Sequence, residues 1–313
     1  MPVQRIDILL ATYNGAAYLG AQLDSLLAQT HQNWRLLVSD DASSDDTLNI
    51  IDSYRARLGE RLRLAPNPAP GQGVVGNFAH LMQVSLRDAW CHCAAFCDQD
   101  DVWLPHKLAV GLARLQALAL DAAENTPCMV HSDLTVVDAH LRTIHPSFVQ
   151  HQRLDLAHST TLTLLSINHA TGCTMLVNRA LLQAALPLPP TAIMHDWWCA
   201  LLAERAAFIP EALVLYRQHG ANQLGAKGRT LGQRLHRVAV DGVGVLRRVR
   251  ALGQATSAQA LALRERLHAL GYCHGYIDNY LAWRALPLWR RMAEQRRYYA
   301  GPWLDRCSRL LLW

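Results

Sequence analysis

The chain has 313 residues, 51% of them hydrophobic and 18% charged, a globular composition that excludes disorder. No uncharged apolar run reaches the ~18 residues of a membrane span, and Arg5 and Asp7 interrupt the first apolar stretch, so no signal-peptide pattern opens the chain. The net charge of +5 is unevenly spread: residues 1–224 carry 14 Lys and Arg against 20 Asp and Glu, residues 225–313 carry 16 against 5.

The first part reads as an enzyme body and the second as a segment that meets anions. The expected organisation is therefore a catalytic domain over 1–225 and a basic helical extension over 226–313. The expected location is cytoplasmic, at the inner face of the cytoplasmic membrane where the extension engages it. Eight cysteines, most of them inside apolar runs, are expected reduced and buried.

In chain order, Arg5 to Ala11 reads as a buried strand ending at Thr12-Tyr-Asn-Gly15, with Asn14 as N-cap of an amphipathic helix to about Gln29. Trp34 to Ser39 is a second strand. It runs into Asp40-Asp41-Ala-Ser-Ser-Asp45-Asp46-Thr47 and a helix from Leu48 to about Leu58. Asp40 and Asp41 suit either a ligand contact or a helix cap, a role open equally to Ser43 or Asp45. Arg61 to Leu64 is a third strand. A Pro/Gly turn over 66–73 and a helix from about Val74 to Asp88 follow. Cys93 to Cys97 is the fourth strand, leading into Asp98-Gln-Asp-Asp-Val-Trp-Leu-Pro105 and a further helix. Strand–helix alternation predicts a mostly parallel sheet with helices on both faces. Ligands in such sheets sit beyond the carboxyl ends of the strands, where Thr12–Asn14, Asp40–Asp41 and Asp98–Asp101 all fall.

Three carboxylates as close as Asp98, Asp100 and Asp101 repel one another unless a cation holds them, and paired Asp oxygens suit Mg²⁺ in phosphate chemistry. An acidic loop at a helix start has the same composition. Further on, Met129–Asp138 and Thr171–Val177 read as strands. His195-Asp196-Trp197-Trp198 reads as a helix start, with Asp196 either N-cap or general base beside aromatic faces on which a sugar stacks. Ala212–Tyr216 is the last strand, followed by His219. In the tail, Leu231–Leu252 and Leu286–Trp313 carry Arg flanking an apolar stripe. That pattern fits a helix in a membrane interface and, equally, a helical cap. Nucleic-acid binding lacks a supporting fold signature, and Cys91-His92-Cys93 lacks a second ligand pair for zinc.

In this order the loops resemble glycosyltransferase family 2, of GT-A type. The segments are I-L-L-A-T-Y-N-G at 8–15, L-L-V-S-D-D-A-S-S-D-D-T at 36–47, F-C-D-Q-D-D-V-W-L-P-H-K-L at 96–108 and H-D-W-W at 195–198. The run from Tyr216 to Ala226 resembles bacterial members that build surface polysaccharides, rhamnosyl- and glucosyltransferases among them. The resemblance implies a GT-A nucleotide-diphospho-sugar transferase fold and an inverting, metal-dependent transfer of a hexose. It implies a UDP or dTDP sugar as donor, a glycan or lipid-linked acceptor, and Mg²⁺ or Mn²⁺. Carried over, Asp41 contacts the base with Ala11 and Tyr13 assisting, Asp98 faces the ribose or sugar, and Asp100 holds the metal with His219. Asp196 is the base, with His195, Trp197 and Trp198 toward the acceptor. His195 stands where the family carries Glu. A nucleotidyltransferase and a non-catalytic glycan-binding module are the rival readings. The first lacks a Gly-rich basic loop after the first strand, and the second has no use for a base.

Overall fold

The computed structural model describes residues 5–87, 89–120, 122–157, 159–220 and 231–298. Its centre is a nine-stranded mixed sheet. The strands are β1 (Ile6–Thr12), β2 (Trp34–Asp40), β3 (Leu62–Leu64), β4 (Cys93–Cys97), β5 (Val102–Trp103), β6 (Cys128–Val137), β7 (Thr143–His145), β8 (Leu176–Asn178) and β9 (Arg205–Arg217). Their order is β3-β2-β1-β4-β8-β6-β9-β5, with β7 beside β6. The half from β3 to β4 is parallel throughout, as the alternation predicts. Beyond β4 the sheet is mixed: β8 runs antiparallel to both β4 and β6, while β9 runs parallel to β6.

β1 and β4 are apolar on both faces because helices cover both sides, and Ile6, Ile8, Leu9, Leu10, Ala95 and Phe96 are all buried. The one charge inside β1, Asp7, is matched. Arg35 of β2 donates Nε and Nη2 to its two carboxylate oxygens at 2.9 and 2.8 Å, and Ser85 Oγ donates at 2.7 Å. The Trp90 ring lies 4.6 Å from the Arg35 guanidinium.

Several local expectations change. Asn14 does not cap the first helix, Ala16–Leu27. It sits at φ 47°, its side-chain oxygen accepts from Ser44 N–H, and Gly15 takes the cap position. The helix expected over 48–58 is two, Thr47–Ser53 and Arg55–Leu58. The strand expected over 171–177 shrinks to β8, because Gly172–Thr174 forms a 3₁₀ turn whose first N–H is drawn to Asp196. Val102-Trp103, placed by the sequence in the connection between the fourth strand and the next helix, pairs with β9.

The chain divides into two compact units. The first comprises Met1–Phe148, Ala170–Leu188 and Met194–Gly225 and holds the sheet; the second comprises Val149–His169, Pro189–Ile193 and Ala226–Trp313. The second unit is built on the helices Leu231–Ala269 and Gly275–Ala285, with Leu288–Glu294 following. Tyr280, Trp283 and Tyr298 form its aromatic core, with the Trp283 and Tyr298 rings stacked 4.3 Å apart. Trp289 is 67% exposed, with the Arg290 guanidinium 5.0 Å from its ring. The expected stripe beyond residue 298 lies outside the described residues. No described helix is long and apolar enough to cross a membrane. Among the described cysteines, six are buried and free and Cys273 is exposed.

Candidate active site

The site is assembled where β1, β2 and β4 end together. Thr12 pairs with Asp40 in register, and its hydroxyl donates to the Asp40 carboxylate at 2.7 Å. Asp40 also accepts from Ser43 N–H and Oγ at 2.7 and 2.6 Å, so it stitches the turn after β2. The cap position of the next helix is Asp46, whose side chain makes no capping bond, while Asp45 before it accepts from Thr47 N–H at 3.1 Å. Asp41 points the other way. Its Oδ1 accepts from Asn67 Nδ2 and Gly71 N–H at 3.1 and 2.7 Å, and its Oδ2 from Gly73 N–H at 2.9 Å. The 66–73 loop is thus wrapped around the Asp41 carboxylate, and Gly71 and Gly73 adopt φ of 87° and 72°, which a side chain would strain. Ala11 lies in the β1 ladder opposite Ser39, and Tyr13 just beyond it is 54% exposed.

The acidic loop after β4 is held from the far end of the sheet. β5 pairs antiparallel with β9, Val102 opposite Leu215 and Trp103 opposite Val214. That register lays Arg217 along the acidic loop. Its N–H donates to Asp101 Oδ1 at 3.1 Å, its Nε to the Asp100 carbonyl at 2.8 Å, and its Nη1 to the Ala139 carbonyl at 2.6 Å. Two residues on, His219 Nε2 reaches Asp100 Oδ2 at 2.8 Å. The Tyr18 ring packs against the His219 ring at 4.6 Å and against the Arg217 guanidinium at 4.6 Å.

Asp98 has its pKa raised to about 7, by loss of solvent first and then by the charges of Asp100 and Asp196. Those three carboxylates, from residues nearly a hundred positions apart, therefore share one electrostatic site. Asp196 lies within the first turn of the helix His195–Leu202, whose cap is Met194 and not Asp196. Its Oδ2 accepts from Gly172 N–H at 2.8 Å, and Oδ1 faces the N–H of Trp197.

Behind the loop, Asp101 is fully buried and its Oδ2 meets no N–H or O–H donor. Its pKa is driven well above the carboxylate range by burial and by the charges of Asp100 and Asp98. One ligand atom each of Asp98, Asp101 and Cys173 lie within 4.8 Å of one another. Lys107 is buried beside them, its ammonium 3.6 Å from the centre of the Trp103 ring, and burial lowers its pKa to about 8. Cys173, Lys107 and Arg217 escaped the sequence reading. A Lys opening an apolar helix and an Arg ending an apolar strand were the only signals available.

The residues expected toward an acceptor are buried. His195, Trp197 and Trp198 are 2%, 7% and 1% exposed, in a helix that is buried on every side. His195 stacks on Phe78 at 3.8 Å and meets the Phe96 ring edge at 4.8 Å, and Trp198 Nε1 donates to the Ala185 carbonyl at 2.9 Å. Their rings are packed in the core. Among the described residues, neither ring nitrogen of His195 has a hydrogen-bond partner, and burial pushes its pKa down to about 3. The unfolded chain binds this proton more tightly, with an ordinary pKa of about 6.5. The His195 contribution to stability is therefore complete above pH ~6.5 and lost as pH falls toward about 3. His195→Phe is expected to shift the acid-unfolding midpoint downward and to leave stability at pH 7 unchanged or raised. Circular dichroism across an acid titration checks this.

The donors at this site fit a divalent cation. Asp100 and His219 supply an oxygen and an imidazole nitrogen 2.8 Å apart from separate elements, and the raised pKa of Asp98 marks carboxylates whose repulsion a cation relieves.

Residues 7–183, more than half of the chain, match the family described as glycosyl transferase family 2. The chain belongs to that family. Among its relatives, an uncharacterized glycosyltransferase of Nostoc sp. is 27% identical over 225 residues, covering 70% of this chain and 66% of its own. The dTDP-rhamnosyl transferase RfbG of Shigella flexneri is 27% identical over 234 residues, covering 69% and 74%. A β-1,3-glucosyltransferase of Escherichia coli, WfgD, named for UDP-Glc and a GlcNAc-diphosphoundecaprenol, is 32% identical over 114 residues, 35% of this chain and 40% of its own. The chain thus spans under two thirds of the Nostoc relative and well under half of WfgD. In fold, this glycosyltransferase is similar to S. aureus TarS solved with UDP-GlcNAc, at TM-score 0.53 and 16% identity over 84% of this chain and 71% of that one. It is also similar to the mannosyltransferase PcManGT of Pyrobaculum calidifontis with GDP-Man and Mn²⁺, at TM-score 0.51 and 17% identity over 98% and 87%. The fold is GT-A, as the motifs implied, and family membership displaces the nucleotidyltransferase reading.

Proposed function

We propose that this glycosyltransferase moves a hexose, rhamnose or glucose, from a UDP or dTDP sugar to a hydroxyl of a glycan or lipid-linked acceptor. The transfer inverts the anomeric centre and serves surface-polysaccharide synthesis. The observation that carries the reading is that the loop bearing Asp98 and Asp100 and the helix bearing Asp196 meet at one turn: Gly172 N–H bonds Asp196 at 2.8 Å, and the next residue, Cys173, lies within 4.8 Å of Asp98. The names of RfbG and WfgD support the donor and acceptor classes.

Asp41, with the backbone near Ala11 and Tyr13, receives the base; Oδ2 accepts a single bond and keeps a lone pair for a ring N–H. Asp98 faces the ribose or sugar. Asp100 and His219 would hold Mg²⁺ or Mn²⁺, which when bound supplies positive charge for the departing diphosphate. Asp196 takes the proton of the acceptor hydroxyl, and the N–H of Gly172 orients its carboxylate for that. Single displacement from the opposite face needs no covalent glycosyl-enzyme.

Asp100→Ala is expected to weaken Mn²⁺ binding and to lower sugar transfer by about 10²-fold or more. Calorimetry with Mn²⁺ and a product assay over UDP-glucose and dTDP-rhamnose measure both, and wild-type turnover in this variant would refute the assignment.

The basic second unit, with Trp289 and Arg290 exposed together, is proposed as the surface that meets an anionic membrane. Trp289→Ser with Arg290→Glu should reduce co-sedimentation with phosphatidylglycerol vesicles, about 1 kcal/mol being the expected worth of each basic residue near such a surface. Unchanged sedimentation removes the membrane role.

A further inference from the structure

The geometry points to Gln99, the middle residue of the Asp-x-Asp segment, as a positioning residue for the loop after β1, with Gly15 as its matching seat. The Gln99 amide lies along the backbone of Tyr13. The Tyr13 N–H donates to Oε1 at 2.8 Å, and Nε2 donates back to the Tyr13 carbonyl at 2.9 Å. A primary amide that meets the N–H and the C=O of one residue does what a neighbouring strand does, and two bonds fix both position and rotation. The acidic loop thereby grips a loop 86 residues earlier in the chain.

Gly15 makes room for that grip. A Cβ at residue 15 would stand 2.2 Å from Gln99 Oε1 and 2.5 Å from its Cδ. The backbone of Gly15 has φ −101°, open to any residue, so glycine is needed there for space and not for conformation. The atoms in the way are the end of a flexible side chain. An alanine would push Gln99 off Tyr13 and leave the backbone unstrained.

The grip has a use at this place. Tyr13 keeps a half-exposed ring on a backbone that Gln99 pins, and Asp98 and Asp100 flank Gln99. The segment that meets the base and the segment that meets the diphosphate are joined by these two bonds into one surface. This inference rests on the nucleotide-sugar reading above.

Calorimetric titration of UDP and of dTDP with Mn²⁺ into wild type, Gln99→Ala, Gly15→Ala and the double variant tests it. Each single variant is expected to weaken nucleotide binding by about 5- to 10-fold, the scale of one or two lost hydrogen bonds. The double variant is expected to bind no more weakly than either single one, because the alanine methyl acts only through Gln99. Thermal unfolding midpoints near wild type show that the variants fold. Additive losses in the double variant, or undiminished binding in both singles beside a wild type that binds, overturn the clamp. A wild type that binds neither nucleotide overturns the nucleotide reading itself, and the clamp's role falls with it.

Discussion

Asp196→Asn is expected to lower transfer by about 10²- to 10⁴-fold while leaving nucleotide affinity within about twofold. The replacement is nearly isosteric, but its single oxygen serves only one of the two N–H groups, of Gly172 and Trp197, that hold the native carboxylate. What disappears is the basicity that accepts the acceptor's proton. Affinity for the nucleotide base is insulated because Asp41 and Tyr13, assigned to it, lie on other loops, and Asp98 and Asp100 are unchanged in the variant. A loss confined to kcat, with the nucleotide Kd preserved, identifies a group that acts in the transition state. Equal losses in both would make Asp196 a structural brace for the Gly172 turn, and the proposed base would have to be sought elsewhere.

The largest effect on stability is expected from the pair Asp7–Arg35, well away from the chemistry. Both side chains are buried, at 0% and 4% side-chain exposure, and joined by two parallel hydrogen bonds with Ser85 as a third donor to the carboxylate. Arg35→Met leaves Asp7 charged inside the sheet without its cation, and removing one partner of such a pair costs about 3–5 kcal/mol. That is a large share of the ~5–15 kcal/mol typical of a whole domain. Asp7→Leu combined with Arg35→Met should recover most of the loss, because a well-packed apolar pair needs no counter-charge. Urea unfolding of the two variants measures the difference. Equal destabilisation in single and double variants would show that packing against Trp90, and not charge, is what the pair provides.

The parallel half of the sheet and the points where its strands end were legible in the residues alone. Ile8–Leu10 and Cys93–Cys97 are apolar without alternation, which only a strand covered on both faces tolerates. The polar residues that stop them, Thr12 and Asp98, mark the strand ends where ligands gather. Local chemistry was enough there, since burial pattern and turn residues lie within a few positions of one another. The family was legible for the same reason, its motifs being short, contiguous and ordered.

What only the tertiary structure decided depends on contacts between distant segments. His219 meets Asp100 because β5, two residues long and read as a turn, pairs with β9 and so fixes where β9 delivers its last residues. His195, Trp197 and Trp198 flank Asp196 in sequence like a binding surface, yet the helix is buried all round and their rings are core. Asp41 looks like a free carboxylate until the glycines at 71 and 73 fold over it. The partner of a side chain is set by which strands pair and which faces are covered. Those outcomes depend on the free energy of the whole packed sheet, and no window of neighbouring residues contains them.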